Sequence, residues 1–357
     1  PSCSIMGERE KEDSTMDPMR PEDERVLVFL LTLQSYPGVG PKTLSALLEG
    51  NRGKVLSPAR LDAAFAERLG NRKVSLALGK RPGEWGARED GAVALLARAE
   101  GAGIRVLHPY MEGYPRRLLA WSHRPPVLFA RGDLSALNCE KTVAMVGTRN
   151  PTDFGLRMGR KLSRVLAEDG YAVVSGLAVG CDAAAHEGAL DAGAPTVAVL
   201  PTPLDAPVYP KENRGLAERI LESGGVLISE YAPETRLSGR QLAGNLVARD
   251  EWQPAIADGI VAFETSADGG TRHALEHAEK AGVPIGVFDY GNRDGVDFAR
   301  DPRFGGNVDY LVNKGASPIY GPETIRLFER RMEEHRSRIS YYVVQEQDVA
   351  KQPTLPL

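Results

Sequence analysis

Cysteine is scarce in this chain. Three occur in 357 residues, Cys3, Cys139 and Cys181, and they lie far apart. That spacing fits neither a disulfide framework nor a zinc site, and it points to a reducing, cytoplasmic setting. Long apolar runs are missing too. The strongest, around Val26–Leu33, is far too short to span a bilayer, so no membrane partner is expected. The polar, charged start of the chain lacks the apolar segment of a signal peptide and reads as a disordered leader over residues 1–21. No HExxH or CxxC spacing occurs, so no metal site is expected. A GxxxxGK[ST] loop is absent, which excludes a Walker-type NTPase, and the first Gly-containing turn lacks the GxGxxG dinucleotide pattern. No cofactor is implied. An excess of positive charge is also lacking, since Lys+Arg 44 against Asp+Glu 48 gives a net −4. Any polyanionic partner must therefore be met by a local patch rather than by the overall field.

What is present is an ordinary globular composition, 42% hydrophobic and 26% charged, long enough for two or three domains. The chain is organised around residues 143–182. Val143–Val146 is a short apolar run ending at Gly147, as a buried parallel strand does. A helix follows over Gly155–Ala167, with Gly155, Gly159, Leu162 and Leu166 on one face and Arg157, Arg160, Lys161 and Arg164 on another. Tyr171–Val174 is the next strand, and Ser175-Gly176-Leu177 ends it. Both strands thus finish in small-residue turns at one edge of one sheet, where doubly wound folds bind ligands. Thr148-Arg149 and Ser175 at those ends make an anion-binding edge the expectation.

Upstream, residues 22–100 read as a small helical domain. A buried helix over Val26–Leu33, the Gly38-Val39-Gly40 turn and a second helix over Thr43–Glu49 have the shape of a helix-hairpin-helix (SAM-like) unit. That unit can offer backbone N–H groups and Lys42 to a phosphate. A plain αα-hairpin for protein contacts is the alternative. Residues 71–91 are Gly- and charge-rich and read as a loop, followed by a helix over Ala92–Ala99. Ile104–Leu107 and Val127–Phe129 are strands, the second entered through Pro125-Pro126. Downstream, strands at Thr196–Leu200, Val226–Ser229, Gly259–Phe263 and Pro284–Phe288 alternate with a helix that the run Tyr209–Arg214 opens and that ends at Glu222, and with a helix over Gly270–Ala281. The fold class is therefore α/β, a doubly wound parallel sheet of extended Rossmann-like type over 104–316, behind a helical domain. Residues 317–357 hold one charged helix, Pro322–Ser340, and a tail.

Several runs in register resemble DNA-processing protein A, also called Smf. They are YPRRL, RPPVLFARGD, VGTRNPTDFG, SGLAVGCDAAAHEGAL, LPTPLD, VYPKENRGLAERI, ISEY and FGGNVDYLVNKGA, spread over about 104–316. The resemblance implies a single-stranded DNA binder of natural transformation that protects incoming strands and loads the RecA recombinase. It also implies a homodimer paired through the Rossmann-like domain, and a cytoplasmic location. Two runs depart from the family. Where a run like FPRRNRII is usual, Gly244–Trp252 keeps Arg249 but has Glu251 at the second basic position. The turn Ser266–His273 is closer to the Gly-Gly-Thr turns of LOG-type phosphoribohydrolases, which places the chain on a divergent branch. A complete C-terminal winged helix, common in the family, is not expected in residues 317–357.

On this reading the phosphate-binding residues are Gly147, Thr148, Arg149, Ser175, Gly176, Lys211, Asn213, Arg214, Asn245, Arg249, Gly269, Gly270 and Thr271. Arg149 is the leading candidate, because a guanidinium forks bidentately onto phosphate. Lys211 and Arg214 extend the positive track and Arg249 lines its far side. Phe154, Tyr209 and Trp252 are the nearby aromatics for base stacking. The acid–base groups at hand are His186, Glu230, Glu264, His273 and Glu276. No catalytic residue is assigned. The competing readings are a nucleotide-binding sensor and a phosphoribohydrolase, and in the latter Glu276 would be the catalytic carboxylate.

Overall fold

Side chains of the strand Lys141–Val146 (β3) alternate between two apolar clusters. Val143 and Met145 enter one, Ala144 and Val146 the other, the period-two signature of a strand covered on both faces. The computed structural model describes residues 19–50, 72–81, 83–291 and 297–351. The expected leader lies outside the described residues up to residue 18, as does the end of the tail beyond residue 351.

In chain order, helices Pro21–Gln34 (α1), Pro41–Gly50 (α2), Arg72–Lys80 (α3) and Trp85–Gly101 (α4) come first. Strands Arg105–Leu107 (β1) and Leu128–Gly132 (β2) lead to β3, then Asp153–Glu168 (α5), Tyr171–Ser175 (β4), Cys181–Asp191 (α6) and Thr196–Val199 (β5). Next are Arg214–Glu222 (α7), Val226–Ser229 (β6), Gly239–Ala248 (α8), the short Trp252–Ala255 (α9) and Ile260–Ala262 (β7). Thr271–Ala281 (α10), Ile285–Phe288 (β8), Gly305–Val312 (α11), Ser317–Ile319 (β9) and Pro322–Lys351 (α12) complete the chain.

All nine strands join one sheet in the order β1-β2-β6-β5-β4-β3-β7-β8-β9. The seven from β3 to β9 pair in parallel, as expected for a doubly wound sheet. The first two do not. β1 pairs antiparallel with β2, and β2 antiparallel with β6, so one edge departs from the all-parallel expectation. Between β1 and β2 the regular structure is a single 3-10 turn, Arg116–Ala120, and no crossover helix carries the chain back to start a parallel strand. The parallel part reverses direction of growth between β3 and β7. That reversal opens a crevice at the carboxyl ends of the strands, the position where such sheets hold ligands.

One apolar cluster packs α5, α6 and α12 on the sheet through Leu162, Leu166, Ala185, Ala189, Phe328 and Met332. The other joins α7, α9 and α10 to the opposite face and runs on into α1–α4. Two corrections fall in that N-terminal part. Arg72–Lys80 is a helix where a loop was expected, and α4 starts at Trp85 rather than Ala92. Val74 and Ala77, one turn apart, are buried, and so are Ala92, Leu96 and Ala99, so packing of an apolar stripe outweighs the Gly and charge content. Cys139 is disulfide-bonded, against the expectation that no cysteine pairs, and Cys181 is a buried free thiol. Among the described residues no helix is long and apolar enough to cross a membrane, and no His/Cys/Asp/Glu cluster could hold a metal.

Candidate nucleic-acid interface

The loop after β3 is pinned at both ends. Thr148 donates its N–H to the Glu264 carbonyl at 2.7 Å, and its own carbonyl accepts from Cys181 N–H at 3.2 Å. Thr152 caps α5 by accepting from Gly155 N–H at 3.0 Å. The Thr152 N–H and hydroxyl in turn donate to the two oxygens of the buried Glu264 carboxylate, at 2.8 and 2.5 Å. Gly147 must be glycine here, because a Cβ would strike the Cys181 sulfur. Arg149 sits on this fixed loop and is itself exposed.

The loop after β4 is fixed by a different device. Ser175 turns its hydroxyl inward to the Met145 carbonyl at 2.6 Å and is fully buried, so it braces the sheet and does not reach the edge. Leu177 adopts φ 56° and its carbonyl accepts from the buried Asn213 amide at 2.9 Å. Asn213 thereby ties this loop to the turn that carries Lys211 and Arg214, both exposed. Among the described residues no ion pair engages Arg149, Lys211 or Arg214.

Arg249 is placed differently from these three. It is 4% exposed, donates to the carbonyls of Gly176 and Val199, and lies 3.7 Å from Asp182 and 3.3 Å from Asp250. Its guanidinium fills the space where a side chain on residue 176 would go, which is why glycine stands there. Burial raises the carboxyl pKa of Asp182, and it pushes Asp250 up to about 7 against the pull of Arg249. Asn245 on α8 donates to the Pro201 carbonyl at 3.0 Å. Two cavities of about 330 Å³ each open along this edge and share Arg149, Ala178, Leu246 and Arg249. The outer one is bounded by Gly176, Tyr209 and Pro210. The inner one lies at the reversal point, between Gly147-Thr148 and the Gly269-Gly270-Thr271 start of α10.

A family model described as DNA recombination-mediator protein A matches residues 105–328. The chain belongs to that family. Protein Smf of Synechocystis is 36% identical over 177 residues, 49% of this chain and 43% of that protein. The Bacillus subtilis DNA processing protein DprA is 28% identical over 236 residues, 65% of this chain and 73% of the relative. This chain's match therefore spans less than half of the Synechocystis protein. Among solved structures, DNA processing protein A from Streptococcus pneumoniae has the same fold (TM-score 0.66, 23% identity, covering 87% of this chain and 98% of that one). DNA processing protein A from Helicobacter pylori, described for its single-stranded DNA binding mode, aligns at TM-score 0.54 and 25% identity over 65% of this chain and 96% of its own.

Within this recombination-mediator fold the acid–base candidates are scattered. His186 is fully buried, with Nδ1 2.8 Å from the Thr196 hydroxyl, and burial lowers its pKa to about 3. Glu264 anchors the β3 loop, and Glu230 accepts from the Trp252 indole at 3.2 Å. Glu276 pairs with Arg272 at 3.0 Å one turn along α10. His273 alone of the five lines the inner cavity. The cationic stripe of α5 is half neutralised, since Arg160 binds Asp191 and Glu187 and Arg164 binds Glu168. Sequence reasoning missed Asp182, Asp250 and Gln253 as parts of this site. Asp182 lies inside the SGLAVGCD run and was within reach. The other two follow Arg249 on a segment whose departure from the family drew attention to charge rather than to burial.

Proposed function

We propose that the chain binds single-stranded DNA in preference to duplex, along the edge where Arg149, Lys211 and Arg214 project. One observation carries this reading. Three exposed cations, none held in an ion pair among the described residues, come from two loops at one sheet edge, one anchored through Asn213 to the loop after β4 and the other through Thr152 to Glu264. Such a track suits the phosphates of a flexible strand, and Tyr209, 37% exposed beside it, offers a face for a base. Family membership and the Helicobacter pylori relative's described binding mode support the same ligand. Arg249 fits a positioning role, behind the track rather than in it. The reading carries with it strand protection, loading of the RecA recombinase, a homodimer and a cytoplasmic location, with no catalytic residue.

The test is a gel-shift of the full chain with oligo-dT and with a duplex of equal length across a salt series. Oligo-dT should bind more tightly, and log affinity should fall by roughly 0.7 per log unit of salt for each phosphate neutralised. Equal affinity for both ligands, or a flat salt response, would overturn the proposal.

A further inference from the structure

Two carboxyls and one guanidinium are packed together along the inner cavity. Arg249 lies 3.7 Å from Asp182 of α6 and 3.3 Å from Asp250, whose side chains are only 7% and 16% exposed. Water screens such charges poorly, so one cation cannot offset both acids. The second arginine that lines the cavity, Arg149, makes no ion pair among the described residues, yet it favours the charged form of each carboxyl. With Arg149 counted, these four charges balance, two against two. The other groups that face Asp250 are mostly uncharged. Gln253 of α9 donates to it at 3.1 Å, and α8 brings Leu246 and Val247 to the cavity. From α10, His273 lines the cavity, and His277 lies near Glu251 of the same turn as Asp250. His186, near Arg249, is kept neutral by burial.

We infer that single-stranded DNA binding at this edge takes up a proton on Asp250. A phosphate seated on Arg149 cancels the charge that had offset the second carboxylate. One cation is then left between two acids, and a proton on the less buried of them restores the balance. The Asp250 carboxyl is poised for this. Burial holds it at about 7 in the free chain while Arg149 pulls it downward, so loss of that pull moves it higher. The bound chain thus holds the proton more tightly than the free chain does. Affinity is therefore greatest at low pH and falls as pH rises through about 7. The inference rests on the DNA reading and adds a linkage to it. Exposed cations alone would not give that linkage, because arginine and lysine keep their charge throughout this range.

Calorimetric titration of the full chain with oligo-dT tests it, at fixed salt and about pH 7.5, in two buffers of unlike ionisation enthalpy. The heats should differ by the amount that uptake of a fraction of one proton per chain requires. Affinity should fall between about pH 6 and about pH 8.5, by up to about tenfold for each unit that DNA raises the carboxyl. Asp250→Asn imitates the protonated carboxyl and leaves Arg249 paired one to one with Asp182. It should bind as tightly as the unaltered chain does at low pH, with no change across the pH range and equal heats in both buffers. His273→Asn should keep the uptake. The inference falls if uptake persists in Asp250→Asn or if His273→Asn removes it. Should Asp250→Asn fail to fold, the unaltered chain and His273→Asn still decide. Oligo-dT binding by the unaltered chain with equal heats in both buffers overturns this inference and leaves the DNA reading standing, whereas no binding at any pH overturns both.

Discussion

Arg149 and Arg249 reach one sheet edge and do opposite things there. Arg149 is exposed on a loop that other groups hold still, so its fork is free for a ligand. Arg149→Ala should weaken oligo-dT binding by about 1.5–3 kcal/mol, the range for a hydrogen bond to a charged group, and should flatten the salt slope while leaving stability unchanged. Arg249 is buried between Asp182 and Asp250 and binds two carbonyls. Removing it leaves carboxylates and carbonyls unpaired inside the protein. Arg249→Ala should therefore cost about 3–5 kcal/mol of stability, as loss of one partner in a buried pair does, read as a lower urea midpoint. A variant of undiminished stability that has lost oligo-dT would instead make Arg249 a ligand contact. Glu276→Ala should leave DNA binding unchanged, because its carboxylate is engaged with Arg272 and lines neither cavity. From sequence these two arginines looked alike. Burial separates them, and burial is set by residues distant in the chain.

Elements with a strong period were legible and those without were not. Val226–Ser229 matches its expected limits and α7 ends at Glu222 as expected, because apolar runs and a helical stripe end in clear breakers. β9 was missed since three residues including Pro318 carry no pattern. Helix α8 was missed for a better reason. None of its residues is buried, so it has no core-facing stripe, and only its Ser238–Gln241 capping box marks its start. It is nonetheless what puts Leu246 against both cavities. The 3-10 turn that follows carries Asp250, whose carboxyl burial raises to about 7 from an ordinary 3.8. A carboxyl raised in the folded state holds its proton more tightly there than in the unfolded chain. Its contribution is thus favourable at low pH and is lost as pH rises from about 4 to about 7. Asp250→Asn keeps an acceptor for Gln253 and should remove that slope. Thermal unfolding at pH 5 and pH 8 should show the variant gaining on the parent at the higher pH. A parent whose stability rises over the same interval, with the rise absent in the variant, would reverse the assignment.

At the scale of the whole molecule, the boundary near residues 100–104 stays a proposal about folding units, and the contacts across it say what a cut there would do. Leu27, Leu30 and Leu33 of α1 belong to the same apolar cluster as Val106 and Leu107 of β1. Two buried polar ties also cross, His108 to Asp23 at 3.2 Å and the Ser45 hydroxyl to the Arg124 carbonyl at 2.7 Å. Removal of residues before 102 should lower the melting temperature of the remainder rather than release an intact sheet. The opposite edge bears on assembly. β9 ends the sheet, and no strand pairs with its outer side among the described residues. Close to it in sequence are Val312, Tyr320 and Leu327, exposed by 73%, 56% and 47%, three of the large apolar side chains most open to solvent. An unpaired edge is a liability in a monomer and a natural seam between two copies, where a twofold axis lets one patch meet itself and exposed apolar groups can be covered. The proposed homodimer should form there. Light scattering should give twice the chain mass at tens of micromolar, and Val312→Glu with Leu327→Glu should return it to the single-chain mass without lowering the melting temperature of the monomer. A dimer indifferent to both substitutions would move the seam elsewhere, and a single-chain mass for the unaltered protein would remove the dimer from the proposal.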